Sequence, residues 1–459
     1  MRRIIVSTPF CSAAPPWAPP DLTSLTRHRA IIFPALQPFN TNLVNDPRAQ
    51  KFLAYAGFKS FDILNFQHTS GYFHYPYALV SAGNANLNIV ASQAEVSPAW
   101  RRNLLLGTTF LDSGGFSVAT GQLSVQEYFQ RRHQLWAWQD AFAQMGNVIV
   151  AGMDVPTAAF RRGVPGIPGY QNCHLRTESN ILDQLRHRIA GLYRLLNVIQ
   201  GLTGGYGPES LLYWYRHIKY LNEVRLWGEQ ACEGWALGGL WWLEPEDLLL
   251  LLWHMYHDGM LSGRNNWLHV FGVTDARMVA IFSLIQKALR YELRDPKFTI
   301  SCDSSNPTKN MGKGGSRYLG TGNVVATQRL PDSSLKKDGA HRFPLLFAEG
   351  KVFPYTTAVP FSGFTPWQIS ATEDLLKGTV LEGTPLHSAY ILQGDKANGG
   401  LNPLGQMAMA FVNTEAFLRQ TYSVVDRYFV ANERNLVPLI VQMLRSNRPE
   451  QWLPLIAFP

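Results

Sequence analysis

The sequence has few cysteines, and no two of them have the spacing of a metal-binding or redox motif. The four cysteines are far apart along the chain: Cys11, Cys173, Cys232 and Cys302. This spacing argues against a disulfide framework and against a zinc site built from thiolates, and it favours a reducing, cytoplasmic location.

Long apolar runs are also missing. No stretch of eighteen apolar residues occurs, so the sequence predicts no transmembrane helix. The apolar residues near the start are interrupted at Ser7, Thr8 and Pro9, which is too early for the hydrophobic region of a secretory signal. We therefore expect a protein without a membrane partner.

The composition is that of a folded protein. Hydrophobic residues make up 46% of the 459 residues and aromatic residues 12%, which is enough for a packed core and excludes wholesale disorder. The length suits one large barrel with insertions, or two to three ordinary domains. Residues 1–50 are rich in proline, so this part is predicted to be an irregular lead-in.

Positive charge is concentrated in one segment. Between Lys309 and Arg342 there are seven lysines and arginines but only two aspartates, which accounts for most of the net charge of +8. Small polar residues are frequent there, so we predict a basic loop over residues 304–345. Such a loop suits a nucleic-acid backbone, although a solvated loop that keeps the protein soluble would look the same. The candidate backbone contacts are Lys309, Lys313, Arg317, Lys336 and Lys337.

Six apolar runs, each ending in a polar residue or in glycine, recur at intervals of 31 to 46 residues, about the length of one helix and one strand. The residues at their ends are Asp112, Asp154, Gln200, Gly238, Gly272 and Asp303. Polar residues at the ends of many strands are typical of an α/β barrel, whereas an open sheet needs them near one switch point only. The predicted fold class is therefore a (β/α)8 TIM-type barrel with insertions and a helical C-terminal extension.

The domain boundaries and helices follow from the same patterns. The barrel is predicted to span residues 51–374, with its first strand within 52–88, and the helical C-terminal part to span 375–459. A capping box at Ser124 and Glu127 predicts a helix that ends near Met145. Further helices are predicted over 177–196, from Pro245 to Gly259, after an N-cap at Thr274, over 407–429 and over 433–446.

Two of the aspartates have positions that suit glycosyl transfer. Asp303 ends an apolar run, and a carboxylate there can attack an anomeric carbon and form a glycosyl-enzyme intermediate. For an isolated aspartate, a cap of the following turn is the simpler interpretation. Asp112, in Asp-Ser-Gly-Gly-Phe, is a candidate general acid/base for the nitrogen of the departing or incoming base.

Residues on the strands between these aspartates match the edge of a purine. Asp154 can accept hydrogen bonds from a ring N–H and an exocyclic amine together, and Gln200 can both donate and accept. The amides of Gly238 and Gly239 could bind a carbonyl oxygen, although glycine pairs alone are weak signals. A glycosidase would use two carboxylates but has no obvious need of the glutamine and the glycine pair.

The order of these segments resembles the tRNA-guanine transglycosylase superfamily, which exchanges guanine for 7-deazaguanine bases in nucleic acid. The resemblance covers about residues 105–310 and implies that Asp303 is the nucleophile and Asp112 the general base. It also implies that the base is bound by Ser113, Asp154, Gln200, Gly238, Gly239 and Leu240, with Phe116 and Phe271 stacked on its faces. Core packing is the alternative role for both phenylalanines.

Two departures from the family pattern bear on the substrate. The family's tRNA enzymes hold a structural zinc with Cys-x-Cys-x-x-Cys and a later His-Asn, but here no cysteine follows Cys302, and Val412 precedes Asn413 where the histidine would stand. The family's Pro-Thr-Arg segment is replaced by Pro307-Thr308-Lys309 in a longer basic loop. These differences favour the branch that acts on DNA, the 7-deazaguanine transglycosylases of bacterial modification clusters and phages.

The expected function is thus exchange of guanine in DNA for a preQ0-like base through a covalent aspartyl-glycosyl intermediate, without zinc or another cofactor. The expected partners are DNA, the free 7-deazaguanine base and, where a modification complex exists, its other proteins. The expected location is the cytoplasm, or the host cytoplasm for a phage protein. Two alternatives stay open: the same chemistry on tRNA, and a non-catalytic nucleic-acid-binding subunit of a base-modification complex.

Overall fold

The structure of the protein is a computed structural model. It describes residues 21–36, 62, 65–69, 71, 73–83, 85–94, 100–167, 169–201, 207–226, 229–238, 244–273, 275–305, 307, 316–321, 324–329, 403–456 and 458. Within 316–329 and 403–413 only the backbone is described.

Eight parallel strands form a closed barrel. In chain order they are β1 (Ile31–Leu36), β2 (Tyr77–Ser81), β3 (Thr108–Asp112), β4 (Val148–Ala151), β5 (Arg194–Gln200), β6 (Trp235–Gly238), β7 (Trp267–Val270) and β8 (Thr299–Ser304). Each strand pairs with the next along the chain, and β8 pairs with β1 to close the ring, with Ser301 opposite Ile31. The predicted α/β barrel is confirmed at this level.

The strands form because their side chains are buried on both faces, as parallel barrel strands require. All four residues of β4 are buried, as are six of the seven in β5. One core cluster, which includes Phe33, Phe110 and Val198, fills the inside of the barrel, and a larger one lies between the strands and the helices. Because side chains alternate along a strand, every second residue points into the barrel.

Helices surround the barrel: α1 (Ile89–Ala94), α2 (Gly115–Ala119), α3 (Val125–Gln130), α4 (Arg132–Gln144), α5 (Thr157–Arg161), α6 (Tyr170–His187), α7 (Leu211–Ile218), α8 (Pro245–His257), α9 (Ala276–Glu292) and α10 (Pro403–Arg445). The predicted capping box is present, since Ser124 Oγ accepts from the Glu127 amide at 3.2 Å and Glu127 accepts from the Ser124 amide at 3.0 Å. Pro245 begins α8 as predicted.

Shorter elements complete the described structure. Short 3-10 helices lie at Leu22–Thr26, Lys219–Asn222, Gly263–Asn265, Pro449–Gln451 and Leu453–Leu455, and a two-stranded hairpin joins Arg225–Leu226 to Glu229–Gln230. Of the helices in these ranges, none combines the length and the apolar character needed to cross a membrane.

The barrel begins earlier than predicted. β1 lies inside residues 1–50, which the proline content assigned to an irregular lead-in, and its apolar run includes Pro34. The proline content therefore led to a wrong prediction of irregular structure for this short strand, which is stabilised by pairing with β2 and β8.

Three predicted helices also differ from the structure. The helix predicted from Ser124 to near Met145 is divided at Arg131 into α3 and α4. The helix predicted over 177–196 instead spans Tyr170–His187, because the apolar residues from Arg194 onward belong to β5. The N-cap of α9 is Asp275 rather than Thr274, since the Asp275 carboxylate accepts from the Arg277 amide at 2.9 Å.

The part after β8 contains more regular structure than predicted. Within the predicted basic loop, Ser316–Thr321 and Val324–Arg329 pair as an antiparallel hairpin. The two predicted C-terminal helices are one continuous helix, α10, which packs along α9 as the last helix of the barrel. The proposed boundary at 374/375 lies outside the described residues.

Candidate active site

The alternation of side chains brings the predicted site residues together at one end of the barrel. Four strands end at a predicted site residue or one position beyond it: β3 at Asp112, β5 at Gln200, β6 at Gly238 and β8 one position after Asp303. Each of these residues comes two positions after a residue that faces the inside of the barrel, so it faces the same way. Asp154 follows the end of β4. Parallel strands have their C-terminal ends on the same face of a closed barrel, so these side chains share one rim.

Asp154 is held by a network that binds both of its carboxylate oxygens. Ser113 Oγ donates to Oδ1 at 2.8 Å, and Gln200 Nε2 donates to Oδ2. Tyr128 donates from its hydroxyl to the Asp154 carbonyl at 2.7 Å, and that hydroxyl also lies 2.9 Å from Ser113 Oγ. Burial raises the pKa of Asp154 to about 6.

Gln200 has a fixed amide orientation. Its Oε1 accepts from the Thr157 amide at 2.9 Å and from the Thr157 hydroxyl at 3.1 Å, so its Nε2 must face Asp154. The sequence allowed this carboxamide both to donate and to accept. In the structure its acceptor is occupied, and only the N–H group faces the site.

Asp112 is the most strongly perturbed carboxyl group of the rim. Ser81 Oγ donates to its Oδ2 at 2.8 Å, and the Gly114 amide donates to the same oxygen at 3.2 Å. Burial, with the added negative charges of Asp154 and Asp303, raises its pKa to about 7 despite these hydrogen bonds. A carboxyl group with this pKa can donate or accept a proton near neutral pH.

Asp303 is held through one oxygen. The Gly272 amide donates to Oδ1 at 2.7 Å, and His269 Nε2 lies 3.4 Å from the same oxygen. The Asp303 side chain is 13% exposed, which leaves it accessible from the open end of the barrel. An Asx-type cap of the following turn would use local amides, but the amide bound here belongs to a residue after β7.

Glycines at the rim keep backbone close to these groups. Gly114 has φ +90°, and a Cβ atom there would lie 2.4 Å from the Gly83 nitrogen. A Cβ atom at Gly115 would lie 3.1 Å from Asp154 Oδ1, and one at Gly238 would lie 3.2 Å from Gln200 Cγ. Side chains at these positions would crowd the carboxylate and the carboxamide.

The two predicted stacking residues differ in their surroundings. Phe116, in α2, is 52% exposed at the rim next to Gly115. Phe271 is half-buried and meets Phe110 edge-on, with ring centroids 5.7 Å apart. Phe271 therefore takes part in the packing inside the barrel, whereas Phe116 is open to solvent. Stacking on a base stays a prediction for both.

Several predicted residues lie outside the described part of the chain. These are Gly239, Leu240, Lys309, Lys313, Lys336 and Lys337. Arg317 lies in the hairpin opposite Gln328, with its backbone alone described. Their roles remain predictions.

Four residues of the site were missed by the sequence reasoning: Ser81, Tyr128, Thr157 and His269. Ser81 and His269 could have been found from strand alternation, since both lie on inward-facing positions of β2 and β7. Tyr128 and Thr157 lie on helices, and no sequence pattern links them to Asp154 or Gln200.

Metal ligands do not cluster in the part of the chain that the structure describes. Cys173, Cys232 and Cys302 are buried and form no disulfide with one another, and no group of three or more His, Cys, Asp or Glu side chains in this part could hold a metal ion.

The class defined by the fold and the site is a closed parallel α/β barrel with carboxyl groups gathered at the C-terminal ends of its strands. No family model matches the sequence, and neither curated proteins nor solved structures gave a match.

Proposed function

We propose that the protein is a transglycosylase that exchanges guanine in DNA for a free 7-deazaguanine base. The main support for the proposal is that two carboxyl groups in different environments, those of Asp303 and Asp112, lie on the same rim of the barrel. Asp303 has an oxygen held by the Gly272 amide, and Asp112 has a pKa of about 7. A carboxylate nucleophile held in place and a separate acid/base that titrates near neutrality are what a double displacement at a sugar carbon requires.

The first displacement releases guanine. An oxygen of Asp303 attacks C1′ of the flipped nucleotide, and the bond between C1′ and the guanine nitrogen breaks with its electron pair going to the base. Protonated Asp112 gives its proton to that nitrogen, so guanine leaves neutral and Asp112 becomes a carboxylate. The sugar is now an ester of Asp303.

The second displacement reverses these roles. The incoming 7-deazaguanine gives its ring N–H proton to the Asp112 carboxylate and attacks C1′ through the same nitrogen. The ester bond breaks, and Asp303 returns as a carboxylate. The cycle consumes no cofactor, and Asp112 ends protonated, ready for the next nucleotide.

The rim offers groups that complement the edge of guanine. The Asp154 carboxylate can accept from the ring N–H and the exocyclic amine, and Gln200 Nε2 can donate to the carbonyl oxygen. These two side chains satisfy each other in the free protein. A base that binds Asp154 and Gln200 would replace the hydrogen bond between these two side chains with hydrogen bonds to the base. The net change in free energy from this exchange is small.

The order of six sequence segments supports guanine exchange, and the choice of DNA over tRNA rests on the missing cysteines after Cys302. To test both, the purified protein is incubated with labelled preQ0 and either DNA or tRNA, and the nucleosides are analysed by mass spectrometry. We expect incorporation into DNA, a trapped covalent adduct, and loss of both in Asp303→Asn.

The possible outcomes separate the alternatives. Incorporation into tRNA alone would overturn the choice of polymer but keep the chemistry. Full exchange by Asp303→Asn would overturn the assignment of the nucleophile. Nucleic-acid binding without exchange or adduct would favour a non-catalytic subunit. As a matched control, Asp183→Asn changes a carboxylate on α6 that is ion-paired with Arg132, away from the rim, and should leave exchange unchanged.

A further inference from the structure

A fully buried histidine lies beneath the proposed nucleophile. His269, on β7, has no exposed surface and stacks on Phe110, with ring centroids 3.9 Å apart. Its Nε2 lies 3.4 Å from Asp303 Oδ1 without hydrogen-bond geometry, and this buried nitrogen makes no hydrogen bond to any described residue. Burying an imidazole in an apolar core costs free energy unless both ring nitrogens have polar partners. A buried histidine next to a carboxylate is therefore a candidate for a functional role.

The hydrogen bonds on the other side of the ring determine where its proton lies. Trp267 Nε1, which can only donate, donates to Ser301 Oγ at 2.9 Å. The single hydroxyl proton of Ser301 then has two acceptors within reach, His269 Nδ1 at 2.9 Å and the Leu268 carbonyl at 3.5 Å. The shorter contact is favoured, so Nδ1 accepts and the ring proton lies on Nε2, directed at Asp303.

Burial supports the same assignment, because it lowers the pKa of His269 and so favours the neutral ring with a single N–H. The opposite tautomer would direct a nitrogen lone pair at the Asp303 carboxylate, which is repulsive. A neutral donor also leaves the negative charge of the nucleophile in place.

Two described groups lie against Oδ1 of Asp303: the Gly272 amide donates to it at 2.7 Å, and His269 Nε2 lies 3.4 Å from it. We propose, on the basis of the proposed function, that His269 is a positioning residue that fixes Oδ1 so that Oδ2 attacks C1′. When the ester is broken in the second displacement, the charge that returns to the carboxylate is again stabilised by these donors.

The test compares three variants in the exchange reaction. His269→Phe keeps an aromatic ring in the same space and removes the N–H, whereas His269→Gln can place an amide N–H near the position of Nε2. Ser301→Ala removes the proton that sets the tautomer. We expect His269→Phe to lower kcat by about 10- to 100-fold with KM for DNA unchanged, and His269→Gln to recover part of the loss.

A second readout does not depend on activity. In protein labelled with ¹⁵N-histidine, NMR should show the His269 proton on Nε2, with its signal assigned by its loss in His269→Phe. In Ser301→Ala the preference for the Nε2 proton should weaken, because Nδ1 loses the hydroxyl that donates to it. Thermal unfolding of each variant shows whether it folds.

Three results would overturn the proposal: a proton on Nδ1 in an active wild-type protein, a folded His269→Phe with unchanged kcat, or equal losses in His269→Gln and His269→Phe. A wild-type protein that exchanges no base would instead refute the proposed function, and with it any role of His269 in that reaction.

Discussion

At the scale of single residues, the unusual group is Asp112. An ordinary aspartate is fully ionised at pH 7, but burial and two neighbouring negative charges raise the pKa of Asp112 to about 7. The protein therefore retains a carboxyl group in an environment that disfavours its charge. Functional sites commonly show this conflict between stability and reactivity.

The raised pKa predicts how stability depends on pH. Because the folded-state pKa lies above the ordinary aspartate value of 3.8, the folded protein binds the proton more tightly than the unfolded chain. The stabilisation is complete below the unfolded-state pKa and is lost as pH rises through about 7. Asparagine cannot ionise, and its carbonyl can accept from Ser81 and Gly114 as Oδ2 does. Asp112→Asn should therefore raise the Tm by about 2–6 °C at pH 8, and by less at pH 5.

Activity should change in the opposite direction. We expect Asp112→Asn to slow base exchange by about 100- to 10,000-fold, and wild-type guanine release to slow as pH rises through about 7, since it needs protonated Asp112. Asp140→Asn is the matched control, because burial raises the pKa of that carboxyl to about 6 on α4, outside the barrel. This variant should gain stability at pH 8 and keep its activity. A lower Tm for Asp112→Asn at pH 8 would contradict the prediction.

At the scale of elements, α10 contributes hydrogen bonds to β1, the strand that pairs with β8 to close the barrel. Tyr422 of this helix is fully buried, accepts from the Ile32 amide at 3.1 Å and donates to the Ala30 carbonyl at 3.0 Å. The same hydroxyl lies 3.3 Å from that of Tyr75, which donates to the Ile32 carbonyl at 2.7 Å. A residue of the last helix thus adds two hydrogen bonds at the start of the first strand.

Removing that hydroxyl should destabilise the fold. Tyr422→Phe leaves a buried amide and a buried carbonyl at β1 without these partners, which costs about 1–3 kcal/mol. We expect the Tm to fall by about 1–4 °C in a thermal scan. Tyr291→Phe, at a position 68% exposed on α9, should change it by less than about 1 °C. Equal Tm values for the two variants would show that the hydroxyl of Tyr422 does not hold β1.

The elements that sequence could predict are those with a local signal. The capping box at Ser124 and the proline that starts α8 involve neighbouring residues only, and both are present. β1 and the hairpin at 316–329 depend on pairing with other strands, which no local pattern records. The continuity of α10 likewise depends on packing along α9 rather than on helix propensity alone.

At the scale of the whole molecule, the barrel explains which parts of the site the sequence revealed. Residues from β3 to β8 meet because their strands end on one face, so the spacing of polar residues was enough to group Asp112, Gln200 and Asp303. The residues that orient these side chains and shift their pKa values are brought to the site by tertiary packing. The Tyr128 hydroxyl and the Thr157 side chain come from helices, and His269 shows its function only through its distance to Asp303.

The same topology predicts which face would bind the nucleic acid of the proposed function. The segment from 304 to 345 follows β8 and so leaves the barrel on the face that carries the aspartates. Its lysines are therefore predicted to contact phosphates next to the flipped nucleotide. Residues before the strands lie on the opposite face, and they include exposed cations that provide a control: Arg27, Arg186 and Lys297.

Salt dependence of binding distinguishes the two faces. Each lysine that neutralises a phosphate releases counterions and adds about 0.9 to the slope of log K against log salt. Replacing Lys309, Lys313 and Lys336 with alanine should thus lower the slope by about 2–3 in binding titrations with DNA. The triple alanine variant of Arg27, Arg186 and Lys297 loses the same charge from the other face and should keep the wild-type slope. Equal changes in the two variants would mean that binding responds only to net charge, and the basic segment would lose its assigned role.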